Sequence, residues 1–282
     1  MADMRIFAET LGRLGFAAQV LLWVKPFLAM LYAWSAAAPS EASIRVPLFL
    51  EEQLNDGRHM LPCRKVWNNH GEWFRIETTC DDFKVVLGGW VYKDDTPTCQ
   101  AKRFMLALGL AQGPWIFKEG KGSSWASTSA EMLGAMVAIQ AFDISCYAGG
   151  SAVARISTGT YNQADDSLNK KMSSTKMLLG LILMQLATSL PRRRLQLNLD
   201  WRPREQNQEA DDRTNGKFED FDQALRVKIS WDEVDKVLLE KLLIFQGEYE
   251  VELTALKSRA AAASVGGPMT KRRKKDDKTV WG

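Results

Sequence analysis

Between residues 73 and 214 the spacing of apolar side chains switches repeatedly between the period of a strand and the period of a helix, which constrains the fold more than any other feature of the chain. Trp73, Arg75 and Glu77 alternate with Phe74 and Ile76, and the run from Val85 through Trp90 follows a polar turn at Asp81-Asp82. The two segments read as a hairpin. Residues 104–108 give a third strand. A helix is expected from Thr128, whose spacing to Glu131 is that of a capping box, with Leu133, Met136, Val137, Ala141 and Ile144 as its buried stripe. Residues 152–157 read as a short strand and 172–190 as a long apolar helix. Leu195, Leu197, Leu199 and Trp201 form an alternating strand that Pro203 ends. A helix over 204–214, stopped by Asn215-Gly216, completes the series. Three strands, helix, strand, helix, strand, helix suits an α/β fold in which a mixed sheet is flanked by helices.

Flanking segments differ in character. Residues 1–38 are apolar enough to raise a membrane span, but Lys25-Pro26 cuts the run into pieces far short of the ~20 apolar residues a spanning helix needs. Two short helices joined at the proline are expected, outside the sheet, with no membrane partner. Residues 39–62 read as a mixed polar connector. Beyond residue 218 a separate helical stretch covers 231–257, and from Ser258 the alanines, Gly266-Gly267-Pro268 and a Lys/Arg run read as a disordered basic tail. The expected division is therefore 1–60, 61–218, 219–257 and 258–282.

Charge and cysteine usage exclude several function classes. The formal charge is +3, from 37 Lys and Arg against 34 Asp and Glu. Residues 271–278 carry six basic and two acidic side chains, so the rest of the chain is close to neutral and does not capture nucleic acid through its overall charge. Cys63, Cys80, Cys99 and Cys146 are too scattered for a disulfide framework, which points to a reducing, intracellular setting. With only His59 and His70, and no Cys-x-x-Cys, neither a tetrahedral zinc site nor a Ser-His-Asp hydrolase is well supplied.

Two local patterns carry a resemblance. The run Arg202-Pro203-Arg204-Glu205-Gln206-Asn207-Gln208-Glu209-Ala210-Asp211 resembles the last motif of the ribonuclease H domain of retroelement (retrotransposon) reverse transcriptases, with its Pro-Arg pair, Asn and Ala-Asp. Upstream, Leu11-Gly12-Arg13-Leu14-Gly15-Phe16-Ala17-Ala18-Gln19, then Lys25-Pro26-Phe27-Leu28 and Leu31-Tyr32, looks like the end of a reverse transcriptase thumb leading into its connection. The two stand in the order such polyproteins use. The resemblance implies a ribonuclease H-like fold over 61–218 and a thumb or connection remnant over 1–60.

It also implies a chemistry. The family cleaves the RNA strand of an RNA–DNA hybrid with two magnesium ions, or manganese in their place, held by hard oxygen ligands. Four carboxylates serve: an Asp on the first strand, a Glu early in the first long helix, an Asp ending the fourth strand and an Asp opening the last helix. Glu77, Glu131 and Asp211 fall at three of these positions as metal-binding and catalytic residues. The fourth position, in Thr160-Tyr161-Asn162-Gln163-Ala164, holds Tyr161. A phenol with a reference pKa of ~10 is neutral and a poor magnesium ligand, and Glu77 is a methylene longer than the family's Asp. The resemblance thus implies a hybrid-binding domain with an impaired, degenerate hydrolase site, in which Asn162, Arg204 and Asn207 contact nucleic acid.

Structural explanations exist for the same residues. Glu131 serves equally as a capping-box acid, Asp211 as an acid facing a helix N-terminus, and Glu77 as a solvent-facing strand residue paired with Arg75. Two other functions fit the sequence: an active magnesium-dependent hybrid endoribonuclease that tolerates Tyr161, and a noncatalytic, nucleus-directed interaction protein. The latter would use 231–257 as a partner helix and Lys271-Arg272-Arg273-Lys274-Lys275 as a nuclear signal, the expected location being cytoplasmic or nuclear.

Overall fold

The computed structural model describes residues 1–19, 21–57, 65–80, 83–91, 97, 100–117, 122–146, 152–160, 171–174, 176–203 and 222–265. A two-residue strand β1 (Ala2–Asp3) pairs antiparallel with β2 (Ser43–Ile44) and closes a loop around the first two helices. Helix α1 (Met4–Ala17) starts where the Asp3 carboxylate accepts from the backbone N–H groups of Arg5 and Ile6. Helix α2 (Lys25–Ala37) carries Pro26 in its first turn, where the missing N–H costs nothing. Both helices lie outside the main sheet, and among the described residues no helix is long and apolar enough to cross a membrane.

The segment expected as a polar connector contains a helix, α3 (Leu48–Gly57). Its polar residues obscure a short apolar face: Phe49 and Leu50 are fully buried, and the Phe49 ring stacks on Tyr249 at 4.7 Å.

Five strands make the central sheet: β3 (Lys65–Cys80), β4 (Lys84–Val91), β5 (Arg103–Gly109), β6 (Ala152–Thr160) and β7 (Leu195–Trp201). Their order is β5-β4-β3-β6-β7. The pairs β3–β4 and β4–β5 are antiparallel, as tight connections allow, while β3–β6 and β6–β7 are parallel and reached through helical crossovers. This is the mixed sheet flanked by helices that the order of periodicities implies. Strand β3 starts before Trp73 and β6 runs past Ser157 to Thr160, so both strands are longer than their alternation suggests.

Helix α4 (Gly122–Ala141) forms the first crossover and lies on β3 and β4; α5 (Met177–Arg192) forms the second and packs beside it. Close approach of α4 depends on its small residues. Ala135 and Ala138 are fully buried, and a Cβ on Gly134 would sit 3.4 Å from the Thr78 methyl of β3. Phe142, just past α4, meets Phe74 of β3 and Phe104 of β5 at 6.3 and 5.6 Å between ring centroids. Helix α5 ends in the arginine run, where Arg193 donates to the Asp143 carboxylate and the Ile144 carbonyl.

The C-terminal helix α6 (Val237–Val265) is longer than the expected 231–257, so residues 258–265 are helical rather than part of a disordered tail; alanine, the best helix former, supplies four of them. Its buried residues, Leu238, Leu239, Leu242, Tyr249 and Leu256, join one apolar cluster with α1, α2, α3, α5 and the sheet. The amide of Gln185 on α5, itself buried, accepts from the Leu239 N–H at 3.0 Å and so caps the first turn of α6.

Candidate functional site

Glu131 is the chemically distinctive residue of the described core. It lies in the third turn of α4, because that helix begins at Gly122 and not at Thr128. The Thr128–Glu131 spacing is therefore interior to the helix, and the capping-box explanation of Glu131 does not hold. The side chain is fully buried, one turn before the Gly134 that abuts Thr78.

The end of the fourth sheet strand comes directly onto it. Thr160, the last residue of β6 and also fully buried, donates its hydroxyl to the Glu131 carboxylate. Two further bonds fix this strand end. The Thr158 hydroxyl donates to the Phe74 carbonyl of β3 at 2.6 Å, and the Thr160 carbonyl accepts from the Arg202 N–H at 2.7 Å. Ile156, Thr158 and Thr160 consequently share the sheet face that α4 covers, as the period of two requires.

Across the sheet the chemistry is different. Asn198 donates to the Asp200 carboxylate at 2.8 Å and lies 3.4 Å from both the Ser157 hydroxyl and Arg155 Nη2. These side chains form a polar patch over β6 and β7, with Asp200 registered against Gly159. The sequence reading did not single out Thr160 or Asp200. Their only signals were the position of Thr160 just ahead of Tyr161 and an acidic residue ending the Leu195–Trp201 strand.

The expected site residues are placed unequally. Glu131 is in the core as described. Glu77 sits in β3 with its backbone registered against Gly88 of β4, and its side chain lies outside the described residues. Tyr161, Asn162, Arg204, Asn207 and Asp211 also lie outside them, as does the expected helix over 204–214.

No protein-family model and no curated protein matches the chain.

Of the residues expected to hold magnesium, only Glu131 has its side chain among the described residues, and that carboxylate is buried and accepts from the Thr160 hydroxyl. Among the described residues no group of three or more His, Cys, Asp or Glu side chains is placed to hold a metal. What the arrangement does provide is a rigid join between the first long helix and the end of the fourth strand, where Tyr161 emerges next in the chain.

Proposed function

We propose that residues 61–218 are a ribonuclease H-like domain of retroelement origin that binds RNA–DNA hybrid and has lost efficient hydrolysis. The observation that carries this reading is the contact of Glu131 with Thr160. It brings the helix glutamate against the end of the fourth strand, two of the four places where the family keeps its acids. The motif over 202–211 and the element order support it independently. In this reading Asn162, Arg204 and Asn207 hold the nucleic-acid backbone, and the basic run 271–278 adds an electrostatic contribution that is independent of sequence. Tyr161 is the main chemical lesion, with Glu77 contributing through its length, and magnesium or manganese occupancy is correspondingly poor.

The test is fluorescence anisotropy of the full chain with a labelled RNA–DNA hybrid over a salt series. Saturable binding is expected, weakened by Arg204→Ala with Asn207→Ala at every salt concentration. Removal of residues 266–282 is expected to flatten the slope of log affinity against log salt, each lost phosphate contact taking ~0.7–0.9 from it. Absence of hybrid binding at low salt, or indifference to both changes, would refute the proposal.

A further inference from the structure

One edge strand of the sheet is β5, and among the described residues it is only partly covered. The Arg103 carbonyl accepts from the Val227 N–H at 2.7 Å, where residues 226 and 227 run parallel to the strand as a single bridge. In the β4–β5 ladder, Met105 opposite Gly88 and Ala107 opposite Val86 have the same alternation as Arg103, so their N–H and C=O groups also project from the edge. Gly109 is closed off: its N–H donates to the Gln112 side chain at 3.0 Å, and its carbonyl accepts from the Gln112 and Gly113 N–H groups. Among the described residues nothing pairs with the outward groups of Met105 and Ala107.

The covering segment peels away for an identifiable reason. Ser230 is held in a capping box by Glu233, and Trp231 is buried beside Trp115 with the Lys236 ammonium 5.1 Å above its ring. After Val227 the chain is therefore drawn toward Trp231 and away from β5. A cleft of about 460 Å³ opens there, lined by Met105, Arg226, Lys228, Ile229 and Glu233.

Its charges are unbalanced. Arg226 and Lys228 are exposed, and Lys102 is exposed at the start of the same edge. Arg103 lies behind them, its guanidinium donating to the Asp222 carbonyl; burial and the neighbouring Arg226 charge hold it below the usual arginine range. Among the described residues that line the cleft, Arg226 and Lys228 face one acid, Glu233, which stays ionised while it accepts from the Ser230 N–H and hydroxyl; Asp222, farther along, accepts from the Ala224 N–H. Asp232 remains as an exposed acid on the adjoining turn.

We propose that this cleft and the free rungs of β5 bind an extended acidic peptide segment of another protein by strand addition. The Met105 and Ala107 backbone groups supply the ladder, Met105 and Ile229 the apolar contact, and Arg226 and Lys228 the selection for carboxylates. A strand-shaped ligand is favoured over nucleic acid because the unpaired groups are a backbone ladder rather than a phosphate-spaced row of cations.

The test uses the full chain and a short fluorescein-labelled peptide of alternating Glu and Val, with a Lys and Val peptide as comparison. Saturable anisotropy is expected for the acidic peptide alone. Ala107→Pro removes only an outward N–H, which an edge strand tolerates, and is expected to abolish binding while leaving the thermal transition in place. Should that variant fail to fold, Arg226→Glu with Lys228→Glu gives the second arm, with roughly tenfold weaker binding of the acidic peptide and a gain for the basic one. Equal binding of both peptides, full binding by the folded proline variant, or displacement of the peptide by a single-stranded oligonucleotide would overturn the proposal. So would a self-association that Ala107→Pro abolishes, since the edge would then pair with a second copy.

Discussion

The hydroxyl of Thr160 at the end of β6 is bonded to the carboxylate of Glu131 in α4, and both side chains are closed off from water. A buried carboxyl group and its donor are energetically coupled: removing one takes a hydrogen-bond partner from the other in a low-dielectric core. Thr160→Val is expected to cost about 1–3 kcal/mol in urea unfolding, and Glu131→Leu a similar amount. The double variant should cost less than the sum by at least about 1 kcal/mol. Additive losses would show that the two groups are not coupled.

Glycine at two close approaches should respond differently to an added methyl. A Cβ on Gly89 of β4 would lie 2.8 Å from both the Arg75 carbonyl oxygen and the Phe104 ring edge, and backbone cannot retreat cheaply. Gly89→Ala is expected to destabilise by about 1–3 kcal/mol. On Gly180 of α5 the neighbour is the terminal methyl of Met30, at 2.6 Å, which is free to change rotamer. Gly180→Ala gains ~1 kcal/mol of helix propensity against that shift, so its net effect should stay under about 1 kcal/mol. Thermal unfolding of the two variants decides whether these contacts are as rigid and as soft as described.

Tyr249 links α6 to α2 by donating its hydroxyl to the Met30 carbonyl at 2.9 Å. Burial, with a smaller contribution from the Glu252 charge, raises its pKa well above the usual tyrosine range. The neutral phenol is thus the folded form, and its contribution is complete below the unfolded value of ~10 and declines as pH rises past it. Wild type should lose stability relative to Tyr249→Phe above about pH 10, after exceeding it by about 0.5–1.5 kcal/mol near neutrality. A constant difference between the two across that range would contradict the buried hydrogen bond.

The C-terminal helix is part of the same core as the sheet. Leu238, Leu239, Leu242 and Tyr249 are buried against α2, α3 and α5, each worth about 1.5–3 kcal/mol on burial, which together approaches a domain's entire net stability of about 5–15 kcal/mol. A chain ended after residue 218 is expected to lose its cooperative thermal transition by circular dichroism. An unchanged midpoint would mean that α6 is an appendage.

Sequence patterns revealed those elements whose burial is one-sided. Leu195, Leu197 and Leu199 alternate because β7 has one apolar face, and the apolar run of α5 is visible because it is long. The start of α4 was misplaced because Thr128 and Glu131 have capping-box spacing by coincidence, inside a helix whose first turns are serine-rich and carry no apolar stripe. Helix α3 was missed because its interior face amounts to Phe49, Leu50 and the buried amide of Gln53. At the candidate site, residue type and order point to Glu131 but give no sign that Thr160 bonds to it. A threonine ending a strand has no sequence mark that separates a buried donor from an exposed one.

The proposed ribonuclease H-like domain is expected to keep hybrid binding without efficient cleavage. This is tested most directly by a gel assay of a labelled RNA–DNA hybrid with magnesium and with manganese, comparing the full chain with Asp211→Asn. A bound hybrid is expected, with no cleavage above the Asp211→Asn background with either ion. Robust cleavage by the unmodified chain, abolished in Asp211→Asn, would contradict it and establish an active nuclease that works with Tyr161 in place of an aspartate.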